Sequence, residues 1–378
     1  MGLSTLSRRK LLAGMGLAGL AGGGLLAQQA LAVTNAASDE IERRRLMAQD
    51  HQPGQPDHTG GDGQPNEHRD LHGSMFVVGE VNHASNGFNP TDLLTDFDYG
   101  AVSTLASGQT LRDYTIVSSN KTFEVAPGVA FSGWVYNGRC PGPFIRATEG
   151  DRIRITFVNG SDHPHSMHFH GIHAAVMDGV MPVGPGETFV YEFDAEPAGL
   201  HLYHCHVPPF MRHLHKGLYG LFIVDPKEPR SAAKELAMVM NAFDVNFDGA
   251  NEVYAVNTVG FHYTKHPIPL KVGEPVRIYL ANFTEFDPIN SFHLHAQLFN
   301  YYDTGTTKAP TAFTDVVMQC QAQRGIIEFS YDRPGVFMFH AHQSEFNQLG
   351  WMGLFEVTDT GAVSAPGEVA RRLGWYPA

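Results

Sequence analysis

Between about residue 110 and residue 360, apolar side chains recur at every second position in short runs. Two clear examples are Arg152-Ile153-Arg154-Ile155-Thr156-Phe157-Val158 and Thr188-Phe189-Val190-Tyr191-Glu192-Phe193. Glycine, proline and asparagine separate such runs, and no long segment keeps the 3.6-residue period of a helix. The pattern predicts an all-β fold made of antiparallel β-sandwiches.

The second half of this region repeats the first. Four sequence blocks recur in the same order, and the paired blocks begin at Gly150 and Gly273, at Met167 and Phe292, at Tyr203 and Phe339, and at Gly217 and Gly350. Matched blocks in one order predict two copies of one β domain. The polar, proline-punctuated stretch Asp225-Pro226-Lys227-Glu228-Pro229 predicts the junction. We therefore expect domains at residues 76–226 and 227–360, with a C-terminal tail at 361–378.

The N-terminal region has the composition of a targeting segment. Ser7-Arg8-Arg9-Lys10-Leu11-Leu12 precedes a run of glycine, alanine and leucine, and Ala30-Leu31-Ala32 offers a cleavage site. The paired arginines resemble a twin-arginine export signal, which predicts removal of residues 1–32 and a periplasmic or extracellular protein. An uncleaved membrane anchor is the alternative. Residues 33–75 contain few large apolar side chains and are predicted to be a disordered linker.

Charge and cysteine content narrow the class of protein. The net charge of −13 argues against nucleic acid as a partner. Three cysteines do not make a disulfide framework. Cys140 and Cys320 can either pair in an oxidising compartment or remain buried free thiols, and we expect the free thiols.

Four His-x-His pairs carry the candidate chemistry. Alternate residues of a strand point to the same side, so each pair presents two imidazoles together. Imidazole and thiolate ligands suit copper, zinc or iron. In one pair a cysteine lies between the histidines and points to the opposite side, so it links a thiolate site to an imidazole site. The pairs are His168 and His170, His204 and His206 (around Cys205), His293 and His295, and His340 and His342.

Cys205 also belongs to a second ligand set. A thiolate with two imidazoles and a weak or absent axial ligand is the set of an electron-transfer copper site. Cys205 provides the sulfur. His165 lies an odd number of residues from His168, on the other side of the strand, and provides one imidazole. The second imidazole should come from the loop after Cys205, where His213 and His215 are both available.

These features resemble those of a known superfamily. Asn137-Gly138-Arg139-Cys140-Pro141-Gly142-Pro143, the ordered His-x-His pairs and Cys205 are similar to the motifs of cupredoxin domains in multicopper oxidases and copper nitrite reductases. The resemblance covers roughly residues 110–360. It implies two tandem cupredoxin-like Greek-key β-sandwich domains. It also implies a laccase-like two-domain oxidase with its type 1 copper in the first domain.

The resemblance assigns roles around the type 1 copper. In similar proteins the second histidine stands five residues before the axial ligand, which selects His213 over His215 and places Leu218 at the axial position. Leucine donates nothing to copper, so the site should be trigonal with a raised potential. In the second domain the matching positions hold residues that do not bind copper in this way, so that domain has no type 1 site; they are Asn290, Ala341, Phe346 and Trp351.

The resemblance also implies a trinuclear cluster of one type 2 and two type 3 copper ions. His168 and His293 would hold the type 2 copper, and the type 3 pair would be held by His170, His204, His206, His295, His340 and His342. In similar two-domain proteins the cluster lies between subunits of a homotrimer. Cys205 with His204 or His206 would carry electrons from a phenol, aromatic amine or reduced metal ion to dioxygen, giving water. Asp178 and Glu345 are candidate proton relays.

Three other functions compete with this interpretation. In copper nitrite reductases an aspartate stands at the position of His168, and fewer copper ions are bound per chain. A copper-sequestration protein has no use for Cys205 between two cluster ligands. A zinc enzyme needs about four ligands, far fewer than this chain offers. The residues do not identify the reductant, although the apolar residues Pro208-Pro209-Phe210-Met211 slightly favour an organic one.

Overall fold

The computed structural model describes residues 79–373. The predicted export signal, the predicted linker and the last five residues of the tail lie outside the described residues. No described helix is long and apolar enough to cross a membrane. The described helices are short: His83–Asn86, Pro90–Leu93, Phe210–His215, His262–Lys265, Ser344–Gln348 and Glu368–Arg372, with a 3-10 turn at Ala175–Met177.

The first domain is a sandwich of two sheets. One sheet contains, in spatial order, β1 (Phe97–Asp98), β5 (Phe144–Thr148), β10 (Tyr219–Asp225), β9 (Gly199–His204) and β7 (His168–Phe169). The other contains β2 (Ala101–Thr104), β3 (Thr110–Ala126), β6 (Arg152–Asn159) and β8 (Thr188–Asp194), with β4 (Val129–Tyr136) paired to β3. The alternating run predicted at residues 152–158 forms β6, whose odd-numbered residues are buried.

The second domain repeats this plan. One sheet contains β12 (Val253–Val256), β11 (Lys234–Phe243), β14 (Val276–Asn282), β19 (Arg324–Phe329), β16 (Phe299–Asp303) and β17 (Ala312–Thr314). The other contains β13 (Ile268–Lys271), β21 (Met352–Thr358), β20 (Gly335–His340), β15 (Ile289–Leu294) and β18 (Val316–Cys320). The chain is thus two tandem cupredoxin-like β-sandwiches, as predicted.

The sheets are mixed, so the expectation of purely antiparallel sandwiches was wrong. β3 pairs in parallel with β6 and β5 with β10, and the equivalent pairs β11 with β14 and β13 with β21 are also parallel. The strands of each parallel pair are separated by other strands in sequence. Only such long connections allow parallel pairing, and an alternating apolar pattern does not report them.

Apolar side chains form one core inside each sandwich and a third core between the two. In β10, Phe222 and Val224 face the core of the first domain, while Leu221 and Ile223 pack against the second domain. A strand buried on both faces needs a continuous apolar run. This explains why residues 218–224 lack alternation.

A buried ion-pair network also joins the domains. The guanidinium of Arg146 in β5 donates to the carboxylate of Asp225 and, at 2.6 Å, to Glu235 in β11 of the second domain. Glu235 also accepts from Arg277 at 3.0 Å. Because these carboxylates bind Arg146 from both domains, the network fixes one domain against the other.

Candidate metal centres

The first centre lies where β9 ends. Sγ of Cys205 is 3.2 Å from Nδ1 of His213 and 3.8 Å from Nδ1 of His165. The two Nδ1 atoms are 3.1 Å apart. All three side chains are buried. One thiol and two imidazoles therefore converge on a single enclosed point, which is the donor set of an electron-transfer copper site.

Neighbouring residues hold these donors in place. The backbone N–H of Ser166 donates to Sγ of Cys205 at 3.4 Å. Nε2 of His165 lies 3.0 Å from Oγ of Ser161, and a bond at the far ring nitrogen directs Nδ1 towards the centre. Leu218 is fully buried beside Cys205, whose N–H donates to the Leu218 carbonyl at 3.0 Å. The Leu218 side chain belongs to the same buried apolar cluster as Cys205 and carries no donor atom.

The electrostatics of this centre suit a cation. Burial, reinforced by the neighbouring His213, lowers the pKa of His165 to about 3, and burial lowers the pKa of His213 to about 4. Both imidazoles are therefore neutral at neutral pH, with lone pairs free to bind a metal. Burial raises the pKa of the Cys205 thiol. A metal ion supplies the positive charge that a buried thiolate needs. The residues thus fit copper.

His215 points away from this centre. Its Nε2 accepts a hydrogen bond from the Asp244 N–H at 3.1 Å, and its ring packs against Phe131 and Phe286. Of the two histidines that the loop offers, the structure therefore brings His213 to Cys205.

The second centre is a group of four histidines in the first domain, here called quartet 1: His168, His170, His204 and His206. Antiparallel pairing of β7 with β9 places His168 opposite His204. Nε2 of His170 is 3.2 Å from Nε2 of His204, and the ring of His168 lies 5.0 Å from that of His206. Burial lowers the pKa of His170 to about 3 and that of His204 to about 4. At neutral pH these two rings are neutral and their lone pairs can bind a metal.

The second domain contains an equivalent group, here called quartet 2: His293, His295, His340 and His342. Pairing of β15 with β20 places His293 opposite His340. Nε2 of His295 is 2.8 Å from Nε2 of His340, and the ring of His293 lies 5.3 Å from that of His342. Burial lowers the pKa of His340 and of His295. Each domain therefore presents one set of imidazoles.

Matching backbone contacts orient the two quartets. Nδ1 of His168 lies 2.8 Å from the carbonyl of Asp178, and Nδ1 of His293 lies 2.9 Å from the carbonyl of Asp315. Nδ1 of His204 contacts the Cys205 carbonyl at 3.0 Å, as Nδ1 of His340 contacts the carbonyl that follows it. These bonds leave Nε2 of the rings to face a metal.

Three of the supporting residues were missed in the sequence. Ser166 and Ser291 accept hydrogen bonds through Oγ from the backbone N–H groups of His206 and His342. Asp315 stands by His293 as Asp178 stands by His168. The serines each precede the first histidine of a pair by two residues, so the repeat comparison offered a signal for them. Asp315 had none, because the two aspartates follow their histidines at different distances.

The two quartets are separate within one chain. Every ring contact among these eight described histidines joins members of the same quartet, and the metal-ligand groups of the two domains are distinct. Apolar side chains that face solvent lie on segments next to each quartet. After His170 they are Ile172, Val176, Val180 and Met181; between the two pairs of quartet 2 they are Leu298, Phe313, Val316 and Met318, and the strand that carries Val316 and Met318 pairs with β15, which carries His293.

In the second domain, apolar packing occupies the region equivalent to the first centre. Ala341 and Trp351 are fully buried, and the ring of Phe346 stacks on Tyr254 at 4.1 Å. Nδ2 of Asn290 donates to Oγ1 of Thr284 at 3.0 Å. None of these four residues offers a thiol or an imidazole.

The remaining predicted residues fall in different surroundings. Oδ1 of Asp178 lies 3.2 Å from Nδ1 of His168, so this carboxylate reaches quartet 1. Glu345 is exposed and forms no described hydrogen bond or ion pair with a quartet histidine. Cys140 and Cys320 are not bonded to each other. Cys140 is buried, but Cys320 is exposed on the edge strand β18, so the expectation that both are buried was wrong for Cys320.

Comparisons with known proteins agree with this geometry. Two family models, both described as multicopper oxidase, match residues 118–229 and 231–361. A copper-containing nitrite reductase of Neisseria gonorrhoeae is 30% identical over 59% of this chain and 62% of its own length. The chain thus spans less than two thirds of that relative.

Solved structures show the same relationship. A crystal structure of a multicopper oxidase is 52% identical, covers 74% of this chain and 100% of its own, and has a TM-score of 0.73. A blue copper oxidase from Nitrosomonas europaea is 26% identical, covers 65% of this chain and 86% of its own, and has a TM-score of 0.59. The fold and the centres define a two-domain copper protein of the cupredoxin type. The chain belongs to the multicopper oxidase family and is related to copper nitrite reductases.

Proposed function

We propose that this protein is a laccase-like oxidase that takes electrons from a small reductant and reduces dioxygen to water. The observation that carries the proposal is the position of Cys205. Its sulfur meets His165 and His213 at the first centre, while its backbone bonds lead directly to His204 and His206 of quartet 1. Copper, when bound, supplies the one-electron redox chemistry at both ends of this short covalent path.

The chain's own residues prepare the path. Burial of Cys205, with the apolar Leu218 beside it, excludes water and leaves no strong fourth donor at the first centre. Carbonyl contacts fix the rings of His168 and His204, so little rearrangement is needed when an electron arrives. Asp178 keeps its carboxylate within 3.2 Å of the His168 ring and is the residue we assign to proton delivery. Glu345 remains a weaker candidate for that role.

A cavity next to the helix that follows Cys205 suits an organic reductant. It has a volume of about 660 Å³ and lies against the helix Phe210–His215, which carries His213. Aromatic rings of Phe247 and Phe286, together with His215, offer flat apolar surfaces to a phenol or an aromatic amine. Asp244 and Asp248 at its edge can accept hydrogen bonds from hydroxyl or amino groups.

A complete cluster requires a second copy of the chain. Each quartet supplies half of the imidazoles of a trinuclear copper cluster, and the quartets do not meet within one chain. Solvent-facing apolar residues near the quartets, such as Val176 at 70% exposed and Met318 at 62%, have the character of an interface. We infer that quartet 1 of one subunit faces quartet 2 of the next in a closed ring, for which a homotrimer is the proposed form.

Copper nitrite reductase is the second candidate, because such enzymes are among the relatives. Nitrite reduction needs a copper held by only three histidines. It does not require His168, which contacts His206 and so belongs to quartet 1. The full quartets therefore favour dioxygen as the acceptor. In keeping with the N-terminal sequence, we also propose that the enzyme is exported; cell fractionation tests this.

Three measurements on one preparation test the function. We expect about four copper ions per chain, an absorption band at about 600 nm and oxygen uptake with phenols or aromatic amines. Cys205→Ser should remove the band and the activity while most of the cluster copper remains. About two copper ions per chain with nitrite turnover would instead show a nitrite reductase. A blue, fully loaded protein that consumes no oxygen with any reductant would refute the proposal.

A further inference from the structure

A third group of histidines lies far from Cys205 in sequence and contacts neither quartet. His83, in the short helix His83–Asn86, meets His262 and His266 of the second domain. The ring centroid of His262 lies 5.0 Å from that of His83 and 4.6 Å from that of His266. One ligand atom from each of the three rings lies within 4.8 Å of the others.

The positions of these residues are fixed by their elements. His262 and His266 are four residues apart, at the start of the helix His262–Lys265 and just after its end, so their rings project from one side. His83 is held because the side chain of Asn86 exchanges two hydrogen bonds with the backbone of Glu124 in β3. The three rings thus come from two rigidly placed segments.

His83 has no hydrogen-bond partner for either ring nitrogen, although both nitrogens are shielded from solvent. A neutral imidazole carries one donor and one acceptor, and shielded polar atoms are normally paired. The ring of His262 is buried as well, and its Nε2 contacts Oγ1 of Thr91 at 2.7 Å. A metal bound through Nδ1 of His262 would leave that contact in place. The unpaired nitrogens of His83 therefore point to a missing ligand.

Acidic groups around the rings favour a cation. Oε2 of Glu80 lies 3.2 Å from Nε2 of His266 and offers a carboxylate as a fourth ligand or as its orienting partner. Asp92 and Glu124 also act on the charge of His83. The ammonium of Lys265 is also nearby and donates to the carbonyl of Gly79. The acidic groups outnumber it.

We propose that His83, His262 and His266 form an additional site for a divalent transition-metal ion, with Glu80 completing the set. Three imidazoles and one carboxylate suit Zn(II) and Cu(II). Such an ion would cross-link the segment 79–86, which precedes the first sandwich, to the second domain. The site lies outside the proposed electron path, so its role is to hold the two parts of the chain together.

The test uses the fully copper-loaded enzyme and Zn(II) as the probe. We expect one additional zinc ion per chain, measured by competition with a chromogenic indicator and by elemental analysis. His83→Gln and His266→Gln should each weaken this binding at least about tenfold, while the band at about 600 nm stays unchanged. His163→Gln is the matched control, since it also removes a partly buried histidine but one outside every candidate ligand group.

Elemental analysis of the purified enzyme shows whether the site holds zinc or copper. If it holds copper, the wild-type enzyme contains one copper ion more than the cluster and the type 1 centre need, and His83→Gln lacks that ion. Histidines 51, 58, 68 and 72 are present in all variants and so do not affect the comparison. Zinc binding that persists at equal affinity in both His83→Gln and His266→Gln, or wild-type enzyme that binds no metal beyond the copper of the proposed oxidase, would overturn the proposal.

Discussion

Complementation between two inactive variants tests whether the cluster is shared between chains. One variant carries His170→Ala, which removes a ligand of quartet 1, and the other carries His295→Ala in quartet 2. Each substitution takes one of two imidazoles whose Nε2 atoms lie about 3 Å apart, 3.2 Å in quartet 1 and 2.8 Å in quartet 2. Each variant alone should retain less than about a tenth of the wild-type oxygen uptake. Removing a residue that only orients a metal ligand typically costs about tenfold in activity, and removing the ligand itself should cost at least as much.

The expected recovery follows from counting. In an assembly formed from equal amounts of both variants, the first domain at a given cluster is intact in half of the cases and the second domain in half. Both are intact in about a quarter of the clusters, whatever the number of subunits in the ring. The proposed type 1 ligands His165, Cys205 and His213 are unchanged in both variants. Oxygen uptake of about a quarter of the wild-type value is therefore expected.

Co-expression of the two variants with different affinity tags provides the assay. Sequential purification shows that mixed assemblies form, and the unselected mixture gives the activity. The matched control is a double variant that carries His170→Ala and His295→Ala on one chain and is co-expressed with wild type. By the same count, it should also give about a quarter of the wild-type oxygen uptake. If mixed assemblies form and yet oxygen uptake stays at the level of the single variants, the cluster is not shared and the proposed arrangement is wrong.

The remaining predictions concern single contacts. Leu218→Met should lower the potential of the type 1 copper by adding a weak donor, at a cost in stability below about 1.5 kcal/mol, as measured by redox titration and thermal unfolding. Asp315→Asn should reduce oxygen uptake about tenfold, and so should Asp178→Asn, because each aspartate lies beside a histidine of a quartet; an unchanged rate for Asp315→Asn would remove it from the site. Arg146→Met should lower the free energy of unfolding in urea by about 3 kcal/mol. This is the lower end of the range for a broken buried ion pair, because Glu235 still forms its ion pair with Arg277 in the variant. Burial raises the pKa of Glu235, but hydrogen bonds from Arg146 and Tyr279 lower it by more, so that the net pKa lies below the ordinary value of a glutamate. The ion pair is therefore fully present above about pH 4.5, and the difference between wild type and Arg146→Met should shrink as the pH falls below it; a difference that grows there would contradict the assignment.

The features that could be predicted from the sequence are those that local patterns encode. Period-two alternation located β6 and β8, and the repeat located two sandwiches. Strand geometry alone put His168 and His170 on one side and separated Cys205 from the histidines beside it. These predictions succeed because side-chain direction in a strand depends only on position along it.

The features that could not be predicted depend on contacts distant in sequence. Parallel pairing of β3 with β6 follows from the path of the chain between them, which no alternation records. Asp315 reaches His293 from 22 residues away, whereas Asp178 reaches His168 from 10, so the repeat did not align them. The exposure of Cys320 follows from the edge position of β18, and the group of His83 with His262 joins residues 179 positions apart.

The two domains differ in that only the first has the thiol and imidazoles of the first centre. This difference has a physical reason if each cluster lies between subunits. Such a cluster needs one quartet from each kind of domain, so both domains must keep their histidines and the contacts that orient them. It needs only one point of electron entry, and Cys205 provides that point next to quartet 1. At the equivalent point of the second domain, a thiol and two imidazoles without a metal would be buried polar groups in need of partners. Ala341 and Phe346 stand there in place of the thiol and one imidazole, and Asn290, in place of the other imidazole, has a hydrogen-bond partner in Thr284. This packing stabilises a domain that, in the proposed arrangement, supplies ligands but receives no electrons directly.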